Sequence, residues 1–326
     1  METNEPYQSR IDLTELRDSV EKIRKEIGKV IVGQDQMIEL MITAILADGH
    51  VLLEGVPGVA KTLSARLTAR VIDADFSRIQ FTPDLMPSDV LGTSVFNMKT
   101  SEFEFHKGPL FSNIILIDEI NRAPAKTQAA LFEVMEERQV TMDGVSWKMD
   151  APYLVVATQN PIEQEGTYRL PEAQLDRFMF KIIVGYPTLE QEVEVLKGHH
   201  AGHLTHGFED ITKVLERESI NKYREVIRQV HVEEPLLKYI ATIVGDTRQD
   251  ESLFLGGSPR ASVAILAGSK ALAAIQGRDF VTPEDIQTVA LPALRHRIIL
   301  SPEREMEGIS PDEIISATLK RTEVPR

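Results

Sequence analysis

The chain contains no cysteine. That excludes a disulfide framework and a thiolate metal site, and it fits a reducing, cytoplasmic setting. Aromatic residues make up 6% of the chain and there is a single tryptophan, so no basic, aromatic-rich segment of the kind that grips nucleic acid is present. Positive charge is also scarce. Thirty-six Lys and Arg stand against 50 Asp and Glu, a formal net charge of −14, which argues against sequence-independent DNA binding. No uninterrupted apolar stretch approaches the roughly twenty residues that span a bilayer, so no membrane insertion is expected. The opening Met1–Pro6 is acidic and polar, without an apolar signal region. There is no internal repeat and no low-complexity tract.

At 326 residues the chain is long enough for two domains with well-buried cores. Up to Gly185-Tyr186-Pro187, apolar strand-like runs alternate with helical stretches. The runs are Val51–Glu54, Arg78–Phe81, Ile114–Asp118, Tyr153–Thr158 and Phe178–Val184. Such alternation predicts an α/β sheet domain. Beyond Pro187 the strand signal vanishes. Apolar spacing near 3.6 residues predicts helices over Glu190–Lys197, Ser219–Val230, Pro235–Arg248, Pro259–Gln276 and Pro283–His296. Thr188, Ser258-Pro259 and Thr282-Pro283 supply helix-start chemistry. The expected division is residues 1–186, an N-terminal helix plus α/β domain, and residues 187–326, an all-helical domain.

What is present is a phosphate-binding pattern. Gly55-Val56-Pro57-Gly58-Val59-Ala60-Lys61-Thr62, with Leu63 behind it, follows the apolar run at Val51 and precedes a helical pattern. Gly55 and Gly58 allow the tight turn that points successive N–H groups at phosphate oxygens. The helix starting near Lys61 turns its positive end toward the same anion. Lys61 supplies a point charge to the β/γ oxygens of ATP, and the Thr62 hydroxyl can ligate Mg²⁺. Position 60 departs from the pattern, which has glycine there. A methyl group is tolerable at Ala60 in a helical conformation but not at positive φ.

The run Ile114–Ile117 is continuously apolar, as suits a strand covered on both faces, and ends in Asp118-Glu119. Ligands of open α/β sheets sit at the carboxyl ends of strands. Asp118 is placed to hold Mg²⁺ through its water shell, and Glu119 to polarise an attacking water. Two hairpins are expected to interrupt the sheet domain. One spans Thr93–Thr100 and Ser101–His106, with alternating Phe103 and Phe105. The other spans Gln139–Trp147 around the turn dipeptide Asp143-Gly144.

Several long motifs resemble the MoxR family of AAA+ ATPases. They include Phe81–Asp89, Asp118–Pro124, Lys126–Gln128, Met135–Val140, Ala157–Pro161, Glu163–Tyr168 and Leu170–Phe178. The resemblance spans about residue 30 to residue 300, and an alanine at position 60 is familiar in that family. It implies a doubly wound parallel-sheet P-loop domain followed by an all-α lid, assembled with other copies as a ring, in the usual case a hexamer. It implies that the two hairpins are the helix-2 insert and the pre-sensor hairpin, which face the ring pore or the bound client. It further implies that Asn160 is the first sensor of the γ-phosphate, and that Arg260, in the first turn of a lid helix, is the second. Val32 and Gly33 are similar to the adenine-binding turn.

Arg177 resembles the arginine finger that enters a neighbour's site; a salt bridge to Asp176 or Glu172 is the plainer alternative. Arg122 and Arg169 could act in trans or brace an interface. His199, His200, His203 and His206 have zinc-like spacing, but Gly198 and Gly202 favour an inter-helix loop. The function implied is ATP-driven remodelling or activation of client proteins, among them proteins with von Willebrand factor A domains. A nucleic-acid motor or loader, and a chelatase-type metal-insertion subunit, are the alternatives; the net acidity weighs against the first.

Overall fold

The computed structural model describes residues 11–161, 168, 170–200 and 210–325. The elements follow one another in this order. Helices α1 (Thr14–Gly28) and α2 (Asp35–Leu46) lead into strand β1 (Val51–Gly55) and α3 (Lys61–Val71). Then come β2 (Phe76–Gln80), α4 (Pro87–Leu91), the hairpin β3 (Gly92–Asn97) and β4 (Glu102–Lys107), and β5 (Ile114–Asp118). Helix α5 (Ala125–Glu137), the hairpin β6 (Gln139–Met142) and β7 (Val145–Lys148), β8 (Leu154–Gln159), α6 (Glu172–Leu175) and β9 (Phe180–Val184) follow. The remainder is helical: α7 (Leu189–His200), α8 (Arg217–Arg228), α9 (Glu234–Gln249), α10 (Pro259–Ile275), α11 (Pro283–Leu294), α12 (Pro302–Met306) and α13 (Pro311–Arg321). One short ribbon interrupts it, where β10 (Leu253–Leu255) pairs antiparallel with β11 (Ile299–Leu300).

The five sheet strands are all parallel, in the order β2-β5-β8-β1-β9. The sheet is covered on both faces, and the strand sequences show how. Ile114, Leu116, Leu154, Val156, Val51 and Leu53 enter the core shared with α1–α3 and the following helices. Ile115, Ile117, Val155, Ala157 and Leu52 alternate with them and meet Leu131 and Phe132 of α5 on the other face. Period-two burial on two covered faces makes the strands apolar throughout, which is why they read as continuous runs.

The strands end on a common edge, and the loops after β1, β5 and β8 all open there. Good local chemistry starts the later helices. Ser258 Oγ accepts from Arg260 N at 3.2 Å, and Thr282 N donates to Asp285 Oδ2 at 2.8 Å. Helix α7 runs through Gly198 to His200, further than the two glycines suggested; His203 and His206 lie outside the described residues. No described helix is long and apolar enough to cross a membrane.

Candidate nucleotide and metal site

Two cavities adjoin along the loop between β1 and α3, and Pro57, Gly58, Ala60 and Leu63 line both. The first, of about 460 Å³, is walled by Val30, Ile31, Val32, Val59, Tyr186 and Pro187, together with Glu192, Val195 and His199 of α7. Its mostly apolar wall and its volume suit a planar base. Gln34 Nε2 donates to Gly185 O at 3.2 Å and ties its two ends together. Val32 faces the cavity, while Gly33 acts one residue away. Its φ is +77°, and a Cβ there would run into the Gln191 side chain.

The second cavity, of about 410 Å³, gathers Lys61, Thr62, Arg78, Gln80, Asp118, Glu119, Thr158 and Asn160. Three strand ends supply the acids and amides, because β2, β5 and β8 are neighbours in the sheet. Gly55 and Val56 do not line either cavity. Their carbonyls accept from the Lys61 ammonium, at 3.2 Å for Val56. Asp118 is buried. Its Oδ1 accepts from Thr158 Oγ1 at 3.2 Å and its Oδ2 from Arg78 Nε at 2.6 Å. Thr62 and Asp118 thus offer hard oxygen donors in one cavity, the chemistry Mg²⁺ takes alongside phosphate oxygens.

Glu119 follows with φ +56°, a left-handed conformation that costs a non-glycine residue about 1 kcal/mol. The hydrogen bond from its N–H to Thr158 Oγ1, 3.1 Å, holds it there. Its Oε2 meets Gln80 Nε2 at 2.7 Å and Arg122 Nε at 3.1 Å. Arg122, which could act in trans or brace an interface, pairs here with the acid of its own chain. Arg169 lies outside the described residues.

Ala60 corrects an expectation. It adopts φ +61°, ψ +16°, the left-handed conformation in which the methyl group was expected to be intolerable. The strain of about 1 kcal/mol is accommodated, since α3 begins at the next residue and Ser64 N donates to Ala60 O at 2.9 Å.

Arg177 and Arg260 line neither cavity of their own chain. They come together elsewhere, on Glu136 at the end of α5: Arg260 Nη2 at 2.8 Å from Oε1, Arg177 Nε at 3.5 Å from Oε2. Asp176, the nearer acid considered for Arg177, is instead held by Arg297 Nε at 2.6 Å and by Ser258. Sequence reasoning missed Arg78, Gln80, Thr158 and Glu136. Arg78 and Gln80 occupy alternate positions at the carboxyl end of β2 and so share one face, but only the pairing of β2 with β5 brings that face to Asp118.

The hairpins also touch each other. The Ser94 hydroxyl donates to the Asp143 carboxylate. Phe105 packs against Trp147 and Phe111, with centroids 5.5 and 5.9 Å apart, so it is half-buried rather than displayed with Phe103. The first hairpin exposes Val95, Phe96, Met98 and Phe103, and the second exposes Val145. Among the described residues no cluster of His, Cys, Asp and Glu could hold a metal ion.

A parallel sheet with a phosphate loop after β1, paired acids after β5 and a helical lid defines an AAA+ ATPase. Residues 50–180 match the ATPase family associated with various cellular activities (AAA), and residues 245–318 match the AAA lid domain. The chain is 46% identical to the uncharacterised protein YeaC of Bacillus subtilis over 93% of its length and 94% of that protein's. It is 44% identical to the chaperone MoxR1 of Mycobacterium tuberculosis, over 94% and 83% of the two chains. A crystal structure of a candidate ATPase from Cytophaga hutchinsonii superposes with a TM-score of 0.88 at 45% identity, covering 96% of this chain and 97% of that one. The chain belongs to the MoxR family of AAA+ ATPases, and its architecture is that of an ATP-hydrolysing protein.

Proposed function

We propose that the chain hydrolyses ATP with Mg²⁺ in a ring of its own copies and uses the energy to remodel client proteins. The observation that carries the ATPase reading is the single cavity lined by Lys61, Thr62, Asp118, Glu119 and Asn160. Lys61 and the amides of Gly58–Thr62 bind the phosphates, with the positive end of α3 behind them. Thr62 and Asp118 would hold Mg²⁺, which would supply positive charge to the transferring phosphoryl group. Glu119 accepts the proton of the attacking water, and the Asn160 amide orients that water against the γ-phosphate. Val32 and the turn at Gly33 meet the base. Release of Glu119 from Gln80 and Arg122 is part of the activation.

The placement of two arginines supports the ring. Arg177 and Arg260 share one carboxylate away from their own cavities, so each is assigned to the nucleotide of a neighbouring copy. There a guanidinium compensates charge developing on the phosphoryl oxygens. The exposed tip of the β3–β4 hairpin is assigned to client contact, in keeping with its apolar surface. The chaperone activity named for the Mycobacterium tuberculosis relative supports this reading. Clients with von Willebrand factor A domains remain the class that the family resemblance proposes.

The test separates binding from chemistry. Lys61→Ala should lose tight ATP binding, whereas Glu119→Gln should bind ATP and turn over at least about a hundredfold more slowly. Parent affinity in the first variant, or parent rate in the second, would contradict the assignment.

A further inference from the structure

Arg78 and Gln80 stand two residues apart on β2, so both side chains leave the same face of the strand. Both line the phosphate cavity with Lys61 and Thr62. Arg78 Nε donates to Asp118 Oδ2 at 2.6 Å, and its Nη2 reaches Gln80 Oε1 at 3.4 Å. The Asp118 side chain is 10% exposed and that of Arg78 is 54% exposed. The acid is therefore fixed in the wall, while the cation reaches it on a long side chain from the open side. Since Thr158 already occupies Oδ1, Oδ2 has one strong cationic partner.

The proposed function gives that same carboxylate to Mg²⁺. A guanidinium and a divalent cation repel one another, so close approach of both to one carboxylate is unfavourable. Metal-free nucleotide presents a second problem. Its phosphates enter a cavity that also holds Asp118 and Glu119, and Lys61 supplies only part of the compensating charge.

We propose that Arg78 is the resident counter-ion of Asp118 and exchanges with magnesium. It shields the phosphates of metal-free nucleotide from Asp118, and its exposed side chain swings away to solvent when Mg²⁺ takes its place. This rests on the nucleotide-binding reading of the cavity. Its consequence is that the protein binds nucleotide well before metal arrives, and that removing Arg78 makes binding depend on the metal.

The test is calorimetric titration of the full chain with AMP-PNP, once with excess Mg²⁺ and once with EDTA. In Arg78→Ala the metal-free affinity should fall about tenfold, the size of one charge-assisted contact. With Mg²⁺ it should change by less than about threefold in either direction. Arg78→Lys, which keeps the charge without the planar fork, should restore most of the metal-free affinity. Equal losses under both conditions, or no change under either, would overturn the proposal. Lys61→Ala in the same titrations distinguishes the two readings. It should lose binding with and without metal, and parent affinity there would refute the nucleotide site itself, whatever Arg78→Ala shows.

Discussion

Arg260 Nη2 lies 2.8 Å from Glu136 Oε1, so the first turn of α10 is tied to the last turn of α5. A cation at a helix start opposes the helix dipole, and the carboxylate of Glu136 compensates for it. Both side chains are about half exposed, so the pair itself adds no more than about 1 kcal/mol to stability.

On the proposed assignment of Arg260 to the phosphoryl group of a neighbouring copy, Arg260→Ala should leave nucleotide affinity within about twofold and lower turnover by about tenfold or more. Calorimetry and a coupled ATPase assay on one preparation check this. A large loss of affinity with unchanged turnover would mean that Arg260 serves ground-state nucleotide binding and not the chemical step.

Phe103 and Phe105 should separate in behaviour although they share a strand. Phe103→Ser removes an exposed ring and should change unfolding stability by less than about 0.5 kcal/mol while weakening client binding. Phe105→Ser takes away the ring between Trp147 and Phe111 and should cost more than about 1 kcal/mol. Denaturant unfolding of both variants tests the difference, and equal costs would contradict it.

Ala60 offers a stabilising change. Glycine adopts φ +61° without the Cβ clash, so Ala60→Gly should raise stability by about 0.5–1 kcal/mol. A lower thermal midpoint in that variant would show that the unfolded-state entropy of glycine outweighs the strain.

The pH dependence of stability has a definite sign. Burial holds the imidazoles of His50 and His296 well below the ordinary histidine range. His50 Nδ1 accepts from Val155 N at 3.0 Å, which requires a neutral ring. In the unfolded chain each takes up a proton below about pH 6.5. The stability tied to their neutrality is complete above that value and declines as pH falls through it. Two such groups predict a loss of about 2–3 kcal/mol between about pH 7.5 and about pH 5.5. Denaturant unfolding at the two pH values should show it, and a flat profile would mean that both rings are protonated in the fold.

The parts of the fold that announce themselves do so through burial on two sides. Ile114–Asp118 is apolar at every position before its acid because β5 lies between β2 and β8 in a covered sheet, and its observed limits match those expected. The ribbon of Leu253–Leu255 and Ile299–Leu300 gave no such signal. It is too short for a period, and Leu255 is exposed. At the site, Lys61, Thr62, Asp118 and Glu119 were legible because local spacing alone brings each to its position. Arg78 and Glu136 were not, since their roles depend on which strands and helices become neighbours. Asp118 meets Arg78 only because β2 pairs with β5 in register. Glu136 meets Arg260 only because α5 ends beside the start of α10.

A site shared between copies should be restored by mixing two variants that are each inactive alone. Arg177→Ala keeps the phosphate loop and lacks the arginine; Lys61→Ala keeps the arginine and lacks the loop. A mixed ring places an intact Arg177 against an intact Lys61 site, so ATPase activity should reappear at a fraction of the parent level once labelled chains show that subunits have exchanged. No recovery in exchanged rings would contradict the account and leave Arg177 as a partner of Glu136 alone.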